Sequence, residues 1–247
     1  MPYLYSIYVD QLISILKSSG IGCHFKGMFA AALLYADDMA ILAPSVKGLQ
    51  KLINICQAYC SEWDIMLNAK KTKNMFFGKG VAPSHLTKLD GVAIPWETKW
   101  IYLGITLKSN VHFDCCVKEI LGKFFRSLNS ILRIEGQSDD MVKLRLLEAH
   151  CLPILTYGIE ILRVADGNEW RQMRVAYNSI YRKIFNYTRR ESVTVLQHSL
   201  NRPTWEELRE TRKTNFLLRC TNCSRDSLVR TLASPLQWLH NNRIIYS

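Results

Sequence analysis

The chain has 247 residues, a net charge of +11 and eight cysteines. Its length allows one large domain or two small ones, and its hydrophobic content of 48% is sufficient for a sizeable core. There is no secretory signal at Met1 and no regular cysteine spacing, so we expect a reduced, intracellular protein of the nucleus or cytoplasm. Because no apolar run reaches about 18 residues, we expect no membrane partner.

The first elements are a helix and a strand pair. Apolar residues at helical spacing over residues 1–16 predict the helix. Two apolar runs then flank Tyr35-Ala36-Asp37-Asp38, which predicts two strands with the acids at the turn between them. Burying an aspartate pair in such a segment needs a cation, and magnesium takes carboxylate oxygens. The alternative is a solvated turn, because Asp favours turns.

The next segments alternate between helix and strand. Ser45 is predicted to cap a helix that ends near Trp63, and residues 74–77 are predicted to form a strand. Residues 78–80, Gly-Lys-Gly, indicate a turn, with a phosphate-binding loop as the weaker alternative. Residues 100–107 are aromatic and β-branched, which predicts a strand or tight hairpin with Gly104 at its bend.

The pattern after residue 108 is helical. We expect one helix from Phe113 to Ile131 and a second helix capped by Ser138, which Pro153 kinks or breaks. A third helix is predicted over residues 169–187. The sequence from Ser192 onward is helical and basic.

Basic residues are concentrated towards the C-terminus. Residues 166–247 contain 14 Lys and Arg against 7 Asp and Glu, a net charge of +7. Arg171, Arg174, Arg182 and, if the helix continues, Arg189 fall within roughly 80° of each other on a helical wheel. This pattern indicates either a face that contacts phosphates or an ordinary solvated face.

Four motifs in order resemble the reverse transcriptase of a non-LTR, LINE-like retrotransposon, from the middle of the palm to the end of the thumb. Residues 2–10 of this chain are similar to the helix that follows the nucleotide-pocket motif of the family. Residues 35–38 are similar to the catalytic hairpin of the family. Residues 67–72 match the asparagine-x-x-lysine-threonine motif, and residues 100–104 match the primer-grip hairpin. Looser matches extend the resemblance to about residue 190.

The resemblance implies RNA-templated DNA synthesis by two-metal nucleotidyl transfer, with an RNA template, a DNA primer and dNTPs as partners. It implies that Asp37 and Asp38 bind Mg²⁺ and that Lys71 acts near the incoming triphosphate, although Lys71 is otherwise read as a solvated lysine. The residues implied to contact primer or template are Tyr35, Ala36, Trp100, Tyr102, Leu103, Gly104, Arg171, Arg174 and Arg182.

The family also uses an aspartate on an earlier strand and a glutamine-glycine pocket motif, and neither is found before Asp37. We therefore expect a palm-to-thumb fragment that does not polymerise DNA as an isolated chain. Two further hypotheses are a non-catalytic nucleic-acid-binding remnant and a decayed gene fragment. The hairpin is also expected to expose a free strand edge and an apolar patch.

The predicted fold class is α+β. Residues 1–107 would form a partial polymerase palm, a small antiparallel sheet with helices, and residues 108–247 a helical, thumb-like and basic region. Cys220 and Cys223 are spaced as one half of a zinc site, but no second ligand pair follows, so structural cysteines are the favoured interpretation.

Overall fold

The computed structural model describes residues 2–111, 114–134, 138–160, 167–224 and 227–233. The fold is mixed α+β, as predicted. The elements in chain order are α1 (Pro2–Ser18), β1 (His24–Phe25), β2 (Met28–Phe29), β3 (Ala32–Tyr35), β4 (Asp38–Ile41), α2 (Val46–Glu62), β5 (Thr87–Leu89), β6 (Val92–Ile94), β7 (Lys99–Tyr102), β8 (Ile105–Lys108), β9 (Asp114–Cys115), α3 (Val117–Ile134), α4 (Asp140–His150), α5 (Leu152–Thr156), α6 (Gly167–Ile184), α7 (Thr194–Ser199) and α8 (Trp205–Thr221).

The chain divides into two compact units. The first unit contains residues 1–103, 109–112 and 221–247, and the second contains residues 104–108 and 113–220. The predicted boundary between a palm domain over residues 1–107 and a helical domain over residues 108–247 stays a prediction. Within the described ranges, no helix combines the length and the apolar character that crossing a membrane requires.

The core of the first unit lies between its two long helices and the β3–β4 hairpin. Ser45 caps α2 as predicted, because its Oγ accepts a hydrogen bond of 3.1 Å from the backbone N–H of Gly48. The Tyr59 hydroxyl donates to the backbone carbonyl of Tyr8 and so ties α2 to α1. One face of the hairpin packs against this core through Ala32, Leu34, Met39 and Ile41.

The predicted strand at residues 74–77 is wrong. Only Asn74 forms a bridge, to Trp96, and side-chain hydrogen bonds hold the segment in place of a strand ladder. The buried Asn74 side chain donates to Thr87 Oγ1 at 2.9 Å and to the carbonyl of Ile94 at 3.1 Å. The Phe76 carbonyl accepts from the Ser109 hydroxyl. The predicted turn at residues 78–80 is present as a bend.

The second unit is built around the helices α3 to α8, whose buried side chains form one core. The cap of α4 is Asp139 and not Ser138, because Asp139 Oδ1 accepts from the N–H of Met141 at 2.8 Å. The predicted break at Pro153 is confirmed, since α4 ends at His150 and Pro153 lies in the first turn of α5. Phe113, the predicted start of α3, lies outside the described residues.

Candidate functional site

Asp37 and Asp38 lie at the tip of the β3–β4 hairpin, as the sequence predicted. Tyr35 pairs with Asp38, so Ala36 and Asp37 form a two-residue turn. Ala36 has a φ of +51°, a conformation that an alanine adopts at a cost of about 1–2 kcal/mol. Two-residue hairpin turns require such positive φ values because they match the twist of the strands. The turn therefore holds a strained residue directly beside the two acids.

The interpretation of the two aspartates as a buried pair is wrong. Asp37 and Asp38 are both exposed, because the turn carries them beyond the packed part of the hairpin. Paired residues of antiparallel strands share a face, so Asp38 lies on the face of Tyr35, which is 67% exposed. Leu33 on that face is 45% exposed. The hairpin thus presents one apolar, carboxylate-tipped face to solvent.

Strand β7 carries a second group of predicted residues. Burial raises the pKa of the Tyr102 phenol above its ordinary value, and the negative charge of Asp38 raises it further. The charge of Asp38 is therefore felt at Tyr102 within the first unit. Trp100, also on β7, has the Lys73 Nζ 5.8 Å from its ring centroid. Lys73, which the sequence reading did not single out, also pairs with Glu97 at 3.5 Å.

The turn after β7 has the geometry of a tight hairpin. Leu103 and Gly104 have φ values of +47° and +77°, the pattern of a type I′ turn, and β8 begins at Ile105. This confirms the predicted bend at Gly104. Trp100 is 38% exposed and Gly104 is exposed, so part of this segment is open to a ligand.

Asn68 explains the shape of the segment that carries Lys71. Its side-chain oxygen accepts from the backbone N–H groups of Lys70 and Lys71, both at 3.1 Å. Its backbone carbonyl accepts from the Thr72 hydroxyl at 2.9 Å. These bonds fix the backbone while the Lys71 side chain stays exposed, with no ion pair to Asp37 or Asp38 in the described part of the chain.

The three arginines on α6 are not equivalent. Arg174 lies 3.6 Å from Glu206, and Arg182 donates to the carbonyls of Thr188 and Glu191, both at 3.2 Å. Arg171 has no hydrogen bond or ion pair to any described residue. It lines a groove of about 250 Å³ between α3 and α6. The other lining residues are Leu121, Phe125, Asn168, Gln172 and Val175. Helix α6 ends at Ile184, so Arg189 is outside it.

No group of three or more His, Cys, Asp or Glu side chains converges among the described residues. Cys220 and Cys223 are both partly buried and are not in such a group. Within the described ranges, Asp37 and Asp38 are therefore not joined by a third such side chain.

The amino-acid sequence is similar to that of known reverse transcriptases. A family model described as reverse transcriptase (RNA-dependent DNA polymerase) matches residues 1–107. The chain is 29% identical over 217 residues to a Drosophila melanogaster protein named "Probable RNA-directed DNA polymerase from transposon BS", covering 83% of the chain and 24% of the relative.

Two further relatives are named RNA-directed DNA polymerase from mobile element jockey. The Drosophila melanogaster protein is 24% identical over 61% of the chain and 17% of its own length. The Drosophila funebris protein is 23% identical over 74% of the chain and 20% of its own length. The chain thus spans about a quarter or less of the length of these three relatives.

Proposed function

We propose that this chain carries the metal-binding hairpin and the primer-binding turn of an RNA-directed DNA polymerase from a non-LTR retrotransposon. The match of residues 1–107 to the reverse transcriptase family model and the similarity to relatives named as such polymerases support this. One observation supports this above all: Asp37 and Asp38 lie side by side and exposed at the tip of the β3–β4 hairpin, whose other face is partly buried against the core. The substrates would be an RNA template, a DNA primer and dNTPs.

The two acids are suited to supply some of the ligands of a magnesium ion. Mg²⁺ keeps several waters and is usually bound through one or two carboxylates together with substrate phosphates. Asp37 and Asp38 are exposed and so leave room for both. Bound there, magnesium would favour loss of the proton from a primer 3′-hydroxyl and neutralise charge on the phosphates.

The remaining residues would position the substrates. Trp100, Tyr102, Leu103 and Gly104 would hold the primer end, and the effect of the Asp38 charge on the pKa of Tyr102 supports this. Tyr35 and Ala36 would shape the hairpin beside it. Lys71, exposed on a backbone that Asn68 fixes, would approach the triphosphate and give a proton to the pyrophosphate.

Metal binding can be measured without catalysis. Mn²⁺ is a paramagnetic substitute for Mg²⁺, and its binding is followed by electron paramagnetic resonance. We expect the wild-type chain to bind Mn²⁺ and the Asp37→Asn/Asp38→Asn double variant to lose that binding. The matched control is Asp10→Asn/Asp64→Asn, which removes the same charge from two exposed acids of the same unit. Equal binding by both double variants would refute the metal site.

Primer extension tests whether the isolated chain is itself a polymerase. Two carboxylates are few for fixing two metal ions in the geometry of an in-line displacement. We therefore expect no extension of a DNA primer on an RNA template with Mg²⁺. Extension by the wild-type chain that disappears in Asp37→Ala would overturn this part of the proposal and show that the chain is catalytic.

A second candidate function is nucleic-acid binding that does not need the acids. The α3–α6 groove supports it, because the groove is lined both by the guanidinium of Arg171, which pairs with no described residue, and by the partly buried ring of Phe125. A phosphate and a base are the groups that such a pair would bind. In this case binding should survive Asp37→Asn/Asp38→Asn.

Salt dependence measures the contribution of Arg171. If Arg171 contacts one phosphate, Arg171→Ala should make the slope of log Kd against log salt shallower by about 0.7–0.9. Arg174→Ala removes the same charge from the same helix, but that charge is already paired with Glu206. An equal change of slope in both variants would show that the effect is general electrostatics and not a contact in the groove.

A further inference from the structure

Tyr157 is an exposed aromatic side chain in a segment that is otherwise anchored in the core of the second unit. Tyr157 is 56% exposed, whereas Leu155, Thr156 and Ile159 are almost completely buried. The Thr156 hydroxyl donates to the carbonyl of Leu152 at 2.9 Å, which closes the last turn of α5. The backbone that carries Tyr157 is therefore held on both sides while the ring faces solvent.

The ring lies against the turn that the proposed function assigns to the primer. A Cβ built on Gly104 would be 3.5 Å from Cε1 of Tyr157 and 3.9 Å from its Cζ and Oη. Gly104 is exposed and has a φ of +77°. Because glycine has no side chain, no Cβ lies between the backbone of the turn and the edge of the ring.

We propose that Tyr157 is a substrate-contacting residue that stacks on the terminal nucleotide of the primer beside the Gly104 turn. Aromatic rings stack on bases of any sequence, because every base has a π face. A ring on a fixed backbone loses little conformational freedom when it stacks. This inference rests on the proposed function, since it takes the Gly104 turn as part of the primer site.

The competing explanation is structural, because the same ring could serve only to support the Gly104 turn. The two roles separate in variants of different shape. Tyr157→Leu keeps apolar bulk against Gly104 but removes the ring, and Tyr157→Phe keeps the ring but removes the hydroxyl. Val195→Ala is a control for losing an exposed apolar side chain, since Val195 lies in the same unit and is 74% exposed.

The test is the affinity of the full chain for an RNA–DNA hybrid with a recessed primer 3′ end, measured by fluorescence anisotropy. We expect Tyr157→Leu to weaken binding by about 5- to 160-fold, the range measured when one stacking aromatic is removed. Tyr157→Phe and Val195→Ala should stay near the wild-type affinity. The salt dependence should not change, because stacking neutralises no phosphate.

A base analogue locates the contact. The fluorescence of 2-aminopurine is quenched by stacking, so at the primer 3′ end it should be brighter with Tyr157→Leu than with the wild-type chain. An analogue ten base pairs away should not respond. Thermal unfolding of the same variants reports the structural role separately.

Each result decides the matter. Wild-type affinity and quenching in Tyr157→Leu would overturn the inference and leave the proposed function intact. A loss of affinity in Tyr157→Phe as large as in Tyr157→Leu would also overturn it, because the ring would not be the binding group. Absence of hybrid binding by the wild-type chain would instead overturn the proposed function, on which the inference depends.

Discussion

Gly22 is the position where one added methyl group should disturb the candidate site most. It has a φ of +105°, and a Cβ there would lie 2.3 Å from the Cβ of Ala31 and 3.2 Å from the carbonyl oxygen of Leu42. The next residue, Cys23, donates its N–H to that same carbonyl at 3.2 Å. The chain thus passes over the base of the β3–β4 hairpin with no free space.

Two separate costs follow from Gly22→Ala. The positive φ costs an alanine about 1–2 kcal/mol, and overpacking against the buried Ala31 costs about 1–3 kcal/mol more. The expected total is about 2–5 kcal/mol. Gly27 isolates the first cost, because its φ is +80° but nothing lies within 4 Å of a Cβ built there. Gly27→Ala should therefore destabilise the first unit by only about 1–2 kcal/mol.

Hydrogen exchange of the β3 and β4 amides, read by mass spectrometry, measures the stability of this hairpin within a chain of two units. Ala31→Gly supplies a double-mutant cycle, because it removes the methyl group that clashes. In the Gly22→Ala background it should restore about 1–3 kcal/mol but not the backbone cost. Equal effects of Gly22→Ala and Gly27→Ala, or no rescue by Ala31→Gly, would refute this reasoning.

Three further predictions concern the second unit. Gly104→Ala should destabilise this unit by about 1–2 kcal/mol, because Gly104 has a φ of +77°. Gly122 lies inside α3 with open space around it, so Gly122→Ala should stabilise the unit by about 0.5–1 kcal/mol. Urea unfolding measures both changes, and the same sign for both would contradict this reasoning. Arg202 forms a bidentate ion pair with Glu148, with N–O distances of 2.6 and 3.0 Å, so Arg202→Ala should lower the free energy of unfolding by about 1–3 kcal/mol. Lys143→Ala is the control and should lower it by about 0.5 kcal/mol or less, because its partner Asp140 is exposed. Glu207 accepts from the N–H of Thr204 at 2.8 Å at the start of α8, and this bond lowers the pKa of its carboxyl below the ordinary 4.5. The stabilisation by the Glu207 carboxylate is thus fully present above pH 4.5 and is lost as the pH falls through the lowered pKa. The melting temperature of Glu207→Gln should therefore lie below that of the wild type near neutral pH and converge with it in acid. A difference in melting temperature that does not change with pH would contradict the assignment.

The sequence predicted the elements whose local signals agree with their tertiary contacts. The Ser45 cap, the acids at a hairpin turn and the bend at Gly104 are all local patterns, and all three are present. The strand at residues 74–77 failed because Asn74 is held by side-chain hydrogen bonds to Thr87 and Ile94, which are distant in sequence. The β5–β6 hairpin was missed although Asp90-Gly91 is a strong turn signal.

The acids themselves show where reasoning from sequence stops. An apolar context suggested a buried pair, but apolar residues on a hairpin pack only one face, and a two-residue turn lies beyond both strands. Asp38 belongs to β4 and shares a face with Tyr35, whereas Asp37 belongs to the turn and follows the strained Ala36. The two neighbours therefore differ in what fixes them. Strand pairing orients Asp38, and the turn conformation orients Asp37, so a metal ion bound by both acids, as proposed above, would also link the turn to the strand.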